Sequence, residues 1–356
     1  MTNTDSSNTN SSNTNSPSDP NVNPLTVPNP ADPDANILNS NTIPDHYEDG
    51  RPVPVTIPIP LAPGIKVVYT TRLGGISQGD YAALNLGGRG GDDPAAIEAN
   101  RTALAEEIGA KLSLVGQVHS AKAVDVDDLY RDNAPYGFDA SGTQIDEERA
   151  AQRIEADGQV TTRKGVALGM FAADCLPVLF ADPISGVIGA AHCGRRGLQR
   201  GVIEETVDLM VKKGAKRENI VATLGPRICG ECYEVGDEIA EDFQKRFPLT
   251  KTTTRFGGAG IDIAEAAMID LAFAGVNQVA DSMRRVNAAT QYLAEDAELA
   301  DLCRADNEGD PELHERIGAI RHSLCTLENP LWFSHRRATL SHKEHEGRLL
   351  ALVVRE

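Results

Sequence analysis

Three residues of this chain have types and settings that could share chemistry: His119 in "GQVHSA", Cys175 in "AADCLP" and His192 in "GAAHCG". Each stands where an apolar run meets small or turn residues, the position from which a strand end aims a side chain into a cleft. One thiolate and two imidazoles match the protein ligands of a catalytic zinc that keeps its fourth position open. The same three suit a cysteine nucleophile with a histidine base. They also suit a buried structural cysteine and two hydrogen-bonded histidines, because no tight HxxxH pair links them.

The elements that must position these residues read as mixed α/β. "KVVYTT" (Lys66–Thr71) is a β-branched strand followed by the glycine-rich "RLGGISQGDYAALNLGGRGGDD". Asp93 is a helix N-cap with Pro94 at the first helical position, opening a helix to about Ile108. "SLVGQV" predicts a strand ending at His119, and the polar stretch Asp127–Gly158 reads as an excursion from the core with a short helix near Glu147–Ile154. Four short apolar runs follow, "GQVTT", "GVALGMFAA", "PVLFAD" and "GVIGAAH", as expected of strands buried on both faces. A helix over Val202–Lys213 presents Ile203, Val207, Leu209 and Met210 as one stripe. Beyond it lie a strand "NIVATL", a helix near Asp237–Phe247, two helices within Ile263–Val286 broken at Gly275, and a closing strand "RLLALVV".

Bulk properties narrow the function classes. Residues 1–60 are mostly Asn, Ser, Thr, Asp and Pro and read as a disordered acidic tail, leaving 61–356 as a single catalytic domain. The tail has no basic start and no apolar core, so no export signal is expected, and no apolar run is long enough for a membrane span. The net charge of −18 argues against a nucleic-acid or anionic-membrane partner. Six cysteines in 356 residues form no disulfide framework, which makes a reducing cytoplasm the expected compartment. Nothing in the residues sets an oligomeric state.

The segments "YTTRLGGISQGDYAALNLG", "GDDPAAIEANRTAL", "GQVHSA", "ADCLPVLFAD", "AAHCGRRG", "GPRICGECYEVG" and "CTLENPLWFSHRR" resemble, in that order, the YfiH family from about Val67 to the C-terminus. Its members are labelled polyphenol oxidase, laccase-domain protein or purine nucleoside phosphorylase. The resemblance implies a layered α/β sandwich of mixed sheets flanked by helices, related to cysteine hydrolases. It implies that His119, Cys175 and His192 bind Zn2+ and serve catalysis. It further implies phosphorolysis of adenosine, inosine, guanosine and methylthioadenosine, so that a purine nucleoside and phosphate are the small-molecule partners, with adenosine deamination alongside. Here Cys193 and Arg195 stand where the family has Ala and Trp, Arg227 replaces a small or neutral residue, and His335 stands where Tyr is frequent.

On this reading Arg72 and Arg196 contact the anion, since guanidinium offers a planar fork to phosphate. Asn85 hydrogen-bonds sugar or base, and Asp174 orients a ligand histidine. A copper-dependent polyphenol oxidase is the enzyme alternative, but it needs many paired histidines, and this chain has eight His and no HxH. A cysteine hydrolase or amidase acting on a cell-wall precursor, with Cys175 attacking directly, is a further alternative, and a zinc-stabilised binding protein is the non-enzyme one. Cys229 and Cys232 form a CGEC pair without a second CxxC and read as two reduced thiols. His335, His342 and His345 read as a solvated loop, and "GGRGGDD" lacks the Lys-Ser/Thr ending of a phosphate-binding loop.

Overall fold

The computed structural model describes residues 47, 48, 50–306 and 312–356. Most of the expected tail, residues 1–46, lies outside these. Its expected end at residue 60 falls inside the first strand, and Val53, Val55 and Ile57 are already buried before that point.

Two six-stranded mixed sheets carry the fold. The first contains β1 (Thr56–Ala62), β2 (Ile65–Thr70), β3 (Lys111–Val115), β5 (Gly137–Ala140), β7 (Val166–Ala172) and β14 (Leu349–Arg355), in the order β1-β2-β14-β7-β3-β5. The second contains β4 (Ala123–Asp125), β6 (Gly158–Thr161), β8 (Leu176–Asp182), β9 (Val187–Cys193), β10 (Val221–Leu224) and β13 (Gln278–Val279), in the order β13-β10-β8-β9-β6-β4. A small hairpin is made of β11 (Lys251–Thr253) and β12 (Ala259–Ile261). The sheets stack with β7 and β14 against β8 and β9. All residues of β8 and β9 are buried, which is why these strands read as unbroken apolar runs.

The helices are α1 (Pro94–Ile108), α2 (Val126–Leu129), α3 (Glu147–Ala151), α4 (Arg195–Arg200), α5 (Val202–Lys212), α6 (Asp237–Arg246), α7 (Ile263–Phe273), α8 (Met283–Tyr292), α9 (Ala297–Ala305), α10 (Leu313–Gly318) and α11 (His335–Leu340). The Asp93 side chain caps α1 at Ala95 N, 3.0 Å away, and Gly109 ends the helix in the left-handed region. Helix α5 packs on β4, β6 and β9. Its inner face uses Val202, Ile203, Thr206, Val207 and Met210, whereas Leu209 is only half-buried.

The polar stretch expected to leave the core does not leave it. Its middle forms β5, fully buried at the sheet edge beside β3. A charged pair accounts for this placement: Arg101 of α1 and Asp139 of β5 are both wholly buried, 2.7 Å apart. Asp139 also accepts hydrogen bonds from Tyr136 Oη and Ser141 Oγ at 2.7 and 2.6 Å. Burial pushes the Asp139 carboxyl up, but the Arg101 charge and these donors outweigh it and hold the group below its ordinary value. Polarity along the sequence therefore marks a buried ion pair with its hydrogen-bonding partners here.

Because removal of one partner strands a buried charge, Asp139→Asn is expected to destabilise the fold by about 3–5 kcal/mol in urea unfolding. Its carboxyl is depressed in the folded state. The wild-type advantage should thus be present above the unfolded carboxylate value of about 4 and fade as pH falls below it. An unchanged unfolding midpoint at neutral pH would contradict this.

Candidate active site

The hairpin of β8 and β9 delivers two of the three candidate residues. Its register pairs Leu176 with Cys193 and Pro177 with His192, so Cys175 and Gly194 face each other at the open end. His119 comes from the other sheet, though not from a strand end as expected. β3 stops at Val115, and His119 lies in the turn beyond it with φ 59°. Gln117 anchors that turn to β7 by exchanging hydrogen bonds with Phe171 N and O at 2.7 and 2.9 Å.

The three side chains meet. Their ligand atoms lie within 4.8 Å of one another, with Cys175 Sγ 3.5 Å from His119 Nε2. The two imidazoles pack edge to face with centroids 4.7 Å apart. Gly194 closes the cluster from behind: a Cβ there would come within 2.7 Å of His119 Cδ2 and 2.9 Å of Cys175 Sγ. The first glycine of "HCGRRG" is thus a steric requirement of the site. Cys193, next to His192, points instead into the core beneath α5 and is fully buried.

One functional residue escaped the sequence reading. Asp157, wholly buried just before β6, lies 2.8 Å from His192 Nδ1. The same carboxylate accepts the backbone N–H of His119 at 2.9 Å, of Ser120 at 2.6 Å and of Val118 at 3.2 Å. It therefore orients one histidine and holds the turn that carries the other, leaving His192 Nε2 as the nitrogen free for the cluster. In a chain with 52 acidic residues, a single Asp in "EADGQV" carries no distinguishing mark.

The electrostatics follow from this arrangement. Burial pushes the Cys175 thiol up, but the charge of His192 and hydrogen bonds with both histidines bring it down to about 6. Burial lowers His192, yet the Cys175 thiolate and Asp157 raise it to about 9. Burial raises Asp157, and its bonds to His192 and Ser120 hold it at about 2. A thiolate–imidazolium pair on an ionised carboxylate results at neutral pH. A metal taken up here would displace the His192 proton, since the ligand form of imidazole is neutral.

The trio lines a cavity of about 540 Å³, within the range of small-molecule sites. Tyr81, Phe171 and Tyr233 supply aromatic surface, and Arg89, Arg336 and Arg348 supply cationic groups. The four expected substrate contacts fare differently. Asn85 lines the cavity, but its amide is committed to Gly87 N, Arg348 N and Asp92 Oδ2, each at 2.9 Å, so it shapes the loop. Asp174 also lines it, but does not orient a histidine. Its carboxylate accepts Thr326 Oγ1 and Arg336 N, both at 2.7 Å, and Asp157 does the orienting. Arg72 is buried in an ion pair with Asp306, away from the cavity wall. Arg196 is exposed on α4 and is not part of that wall either.

This architecture has counterparts among known proteins. The YfiH protein of Bacillus licheniformis has a similar fold, with a TM-score of 0.62 and 23% identity, over 86% of this chain and 97% of that one. Residues 66–356 match the family described as multi-copper polyphenol oxidoreductase laccase, and the chain belongs to that family. A Streptomyces griseus protein named purine nucleoside phosphorylase ORF3 is 39% identical over 220 residues, 61% of this chain and 82% of its own length. A protein of an unknown prokaryotic organism named adenosine deaminase RL5 is 32% identical over 60% of this chain and 80% of its own. No helix among the described residues is long and apolar enough to cross a membrane.

Loss of the Asp157 carboxylate should loosen both histidines. Asp157→Asn is expected to weaken metal affinity at the trio by about 10–100-fold in competition against a chromophoric chelator. Unaltered affinity would mean that the carboxylate does not serve these ligands.

Proposed function

We propose that this chain is a zinc-dependent purine nucleoside phosphorylase with accompanying adenosine deaminase activity, its metal held by His119, Cys175 and His192. The observation that carries this reading is the convergence of one thiol and two imidazoles on the wall of a cavity with aromatic and cationic surfaces. The relatives named purine nucleoside phosphorylase and adenosine deaminase support the same chemistry. Zinc held by His119, Cys175 and His192 would supply a Lewis acid to the substrate.

The chain's own residues do the rest. Tyr81, Phe171 and Tyr233 offer flat faces on which a purine can stack, a role the missing tryptophan at Arg195 would otherwise fill. Arg89 and Arg336 take over the anion-binding role expected of Arg72 and Arg196, their N–H groups serving phosphate oxygens, while Arg348 beside them is paired with Glu346. Asp157 keeps the Nδ1 proton of His192 in place and the His119 turn fixed, so substrate meets a preorganised site. Zinc is preferred to copper because, among the described residues, this trio is the one group of three or more donors containing histidine. A multicopper centre needs far more. Six cysteines, none of them in a disulfide, suit a cytoplasmic setting.

The purified protein is expected to release adenine from adenosine only when phosphate is present. Cys175→Ala should lose zinc and cut that rate by more than the roughly 100-fold typical of an outer ligand partner. Intact phosphorolysis in the variant would remove the trio from the mechanism. The depressed Cys175 thiol, 3.5 Å from His119 Nε2, also favours a second reading, a covalent cysteine hydrolase. An acyl adduct on Cys175 in metal-free, active enzyme would select it. For the anion contact, Arg89→Ala is expected to raise KM for phosphate about tenfold, the size of one charge-assisted hydrogen bond, without changing zinc content. Equal KM values would place phosphate elsewhere.

A further inference from the structure

A second group of donors lies outside the cavity. Cys229 and Cys232 sit in the turn after β10, and Cys325 and Glu328 in the segment before α11. Their ligand atoms lie within 4.8 Å of one another. Glu328 Oε1 is 3.5 Å from Cys229 Sγ and 3.6 Å from Cys232 Sγ. A tetrahedral zinc with bonds of about 2.3 Å to sulfur and about 2.0 Å to oxygen sets such donors about 3.5 Å apart.

The surroundings suit a bound cation. Cys232 and Cys325 are buried, and Cys229 N donates to Cys325 Sγ at 3.4 Å. The Glu328 carboxylate is fixed by Arg321 N at 2.7 Å, by His322 N at 3.0 Å and by the Arg255 guanidinium. That is the pattern of a ligating carboxylate oriented by its own hydrogen bonds. None of the three cysteines is in a disulfide.

We propose that Cys229, Cys232, Cys325 and Glu328 form a second metal site that holds a structural zinc. Four protein donors leave no open position, which separates it in kind from the three-donor catalytic set. Thiolate-rich tetrahedral coordination selects zinc over harder divalent cations. The metal would clip together two segments already joined by Arg227 N to Leu324 O and Thr326 N to Arg227 O, both 2.9 Å. The same two segments hold Asp174, through Ile228 N to its carbonyl at 2.9 Å and Thr326 Oγ1 to its carboxylate. Asp174 precedes Cys175, and Tyr233 of the cavity wall follows Cys232. The clip thereby braces one side of the active-site cavity without entering it.

The test is metal analysis of the full chain grown with zinc, in wild type and two variants. Wild type should hold two zinc per chain. Cys175→Ala/His192→Ala should keep one, and cobalt substituted into that variant should show thiolate-to-cobalt charge transfer. Cys232→Ser/Cys325→Ser should lose the second zinc and unfold at lower temperature. If that variant does not fold, the Cys175→Ala/His192→Ala protein still decides, because it leaves all four proposed donors intact. Absence of zinc from that protein, or a Cys229–Cys232 disulfide in freshly purified wild type, would overturn the proposal. One zinc in both wild type and Cys175→Ala/His192→Ala would instead refute a metal at the trio and leave this site standing.

Discussion

Asp157 is a buried carboxylate that cannot stay charged without partners, and the site is built from the partners it collects. Isolated burial of that charge would be costly. His192 Nδ1, the backbone amides of Val118, His119 and Ser120, and the Ser120 hydroxyl together offset the cost. In satisfying one group the chain ties β9 of one sheet to the turn that leaves β3 of the other. The left-handed backbone at His119 persists because that turn is held from within. Cys175 then needs only the hairpin register to reach both imidazoles.

Polar groups held by partners distant in sequence recur around the cavity. On one side Arg101, Asp139, Tyr136 and Ser141 pin the β5 edge, and Ser141 in turn lines the cavity. On the other, Asp174 is secured by Thr326, Ile228 and the start of α11. Each network joins residues far apart in sequence, so the cavity is a product of the stacked sheets and not of any one loop. Rigid support of this kind holds catalytic groups close to their working geometry.

Charge is distributed with matching economy. Arg72 lies buried against Asp306, where it neutralises a core carboxylate and is withdrawn from solvent. The arginines that face the cavity are half-buried or exposed, and they come from the glycine-rich loop and the C-terminal segment. A chain with a net charge of −18 thus presents local positive groups at one concavity. That suits an anionic co-substrate while the remaining surface stays acidic.

Residue types and patterning alone determined much of this. Unbroken apolar runs marked β7, β8 and β9, because strands buried on both faces must be apolar along their length. Capping chemistry marked Asp93 and Pro94 at the head of α1. The three residues with metal-ligand chemistry were legible by type and by ordered motif. What the chain could not reveal is which groups become neighbours once the sheets stack. Asp157 and Glu328 look like any other acids until folding buries them beside His192 and three thiols. The CGEC pair lacked its other two donors because Cys325 and Glu328 reach it only through the tertiary fold. Arg72 looked available for an anion until Asp306 was seen to claim it. Local periodicity is written in neighbouring residues, whereas burial and long-range pairing belong to the packed structure.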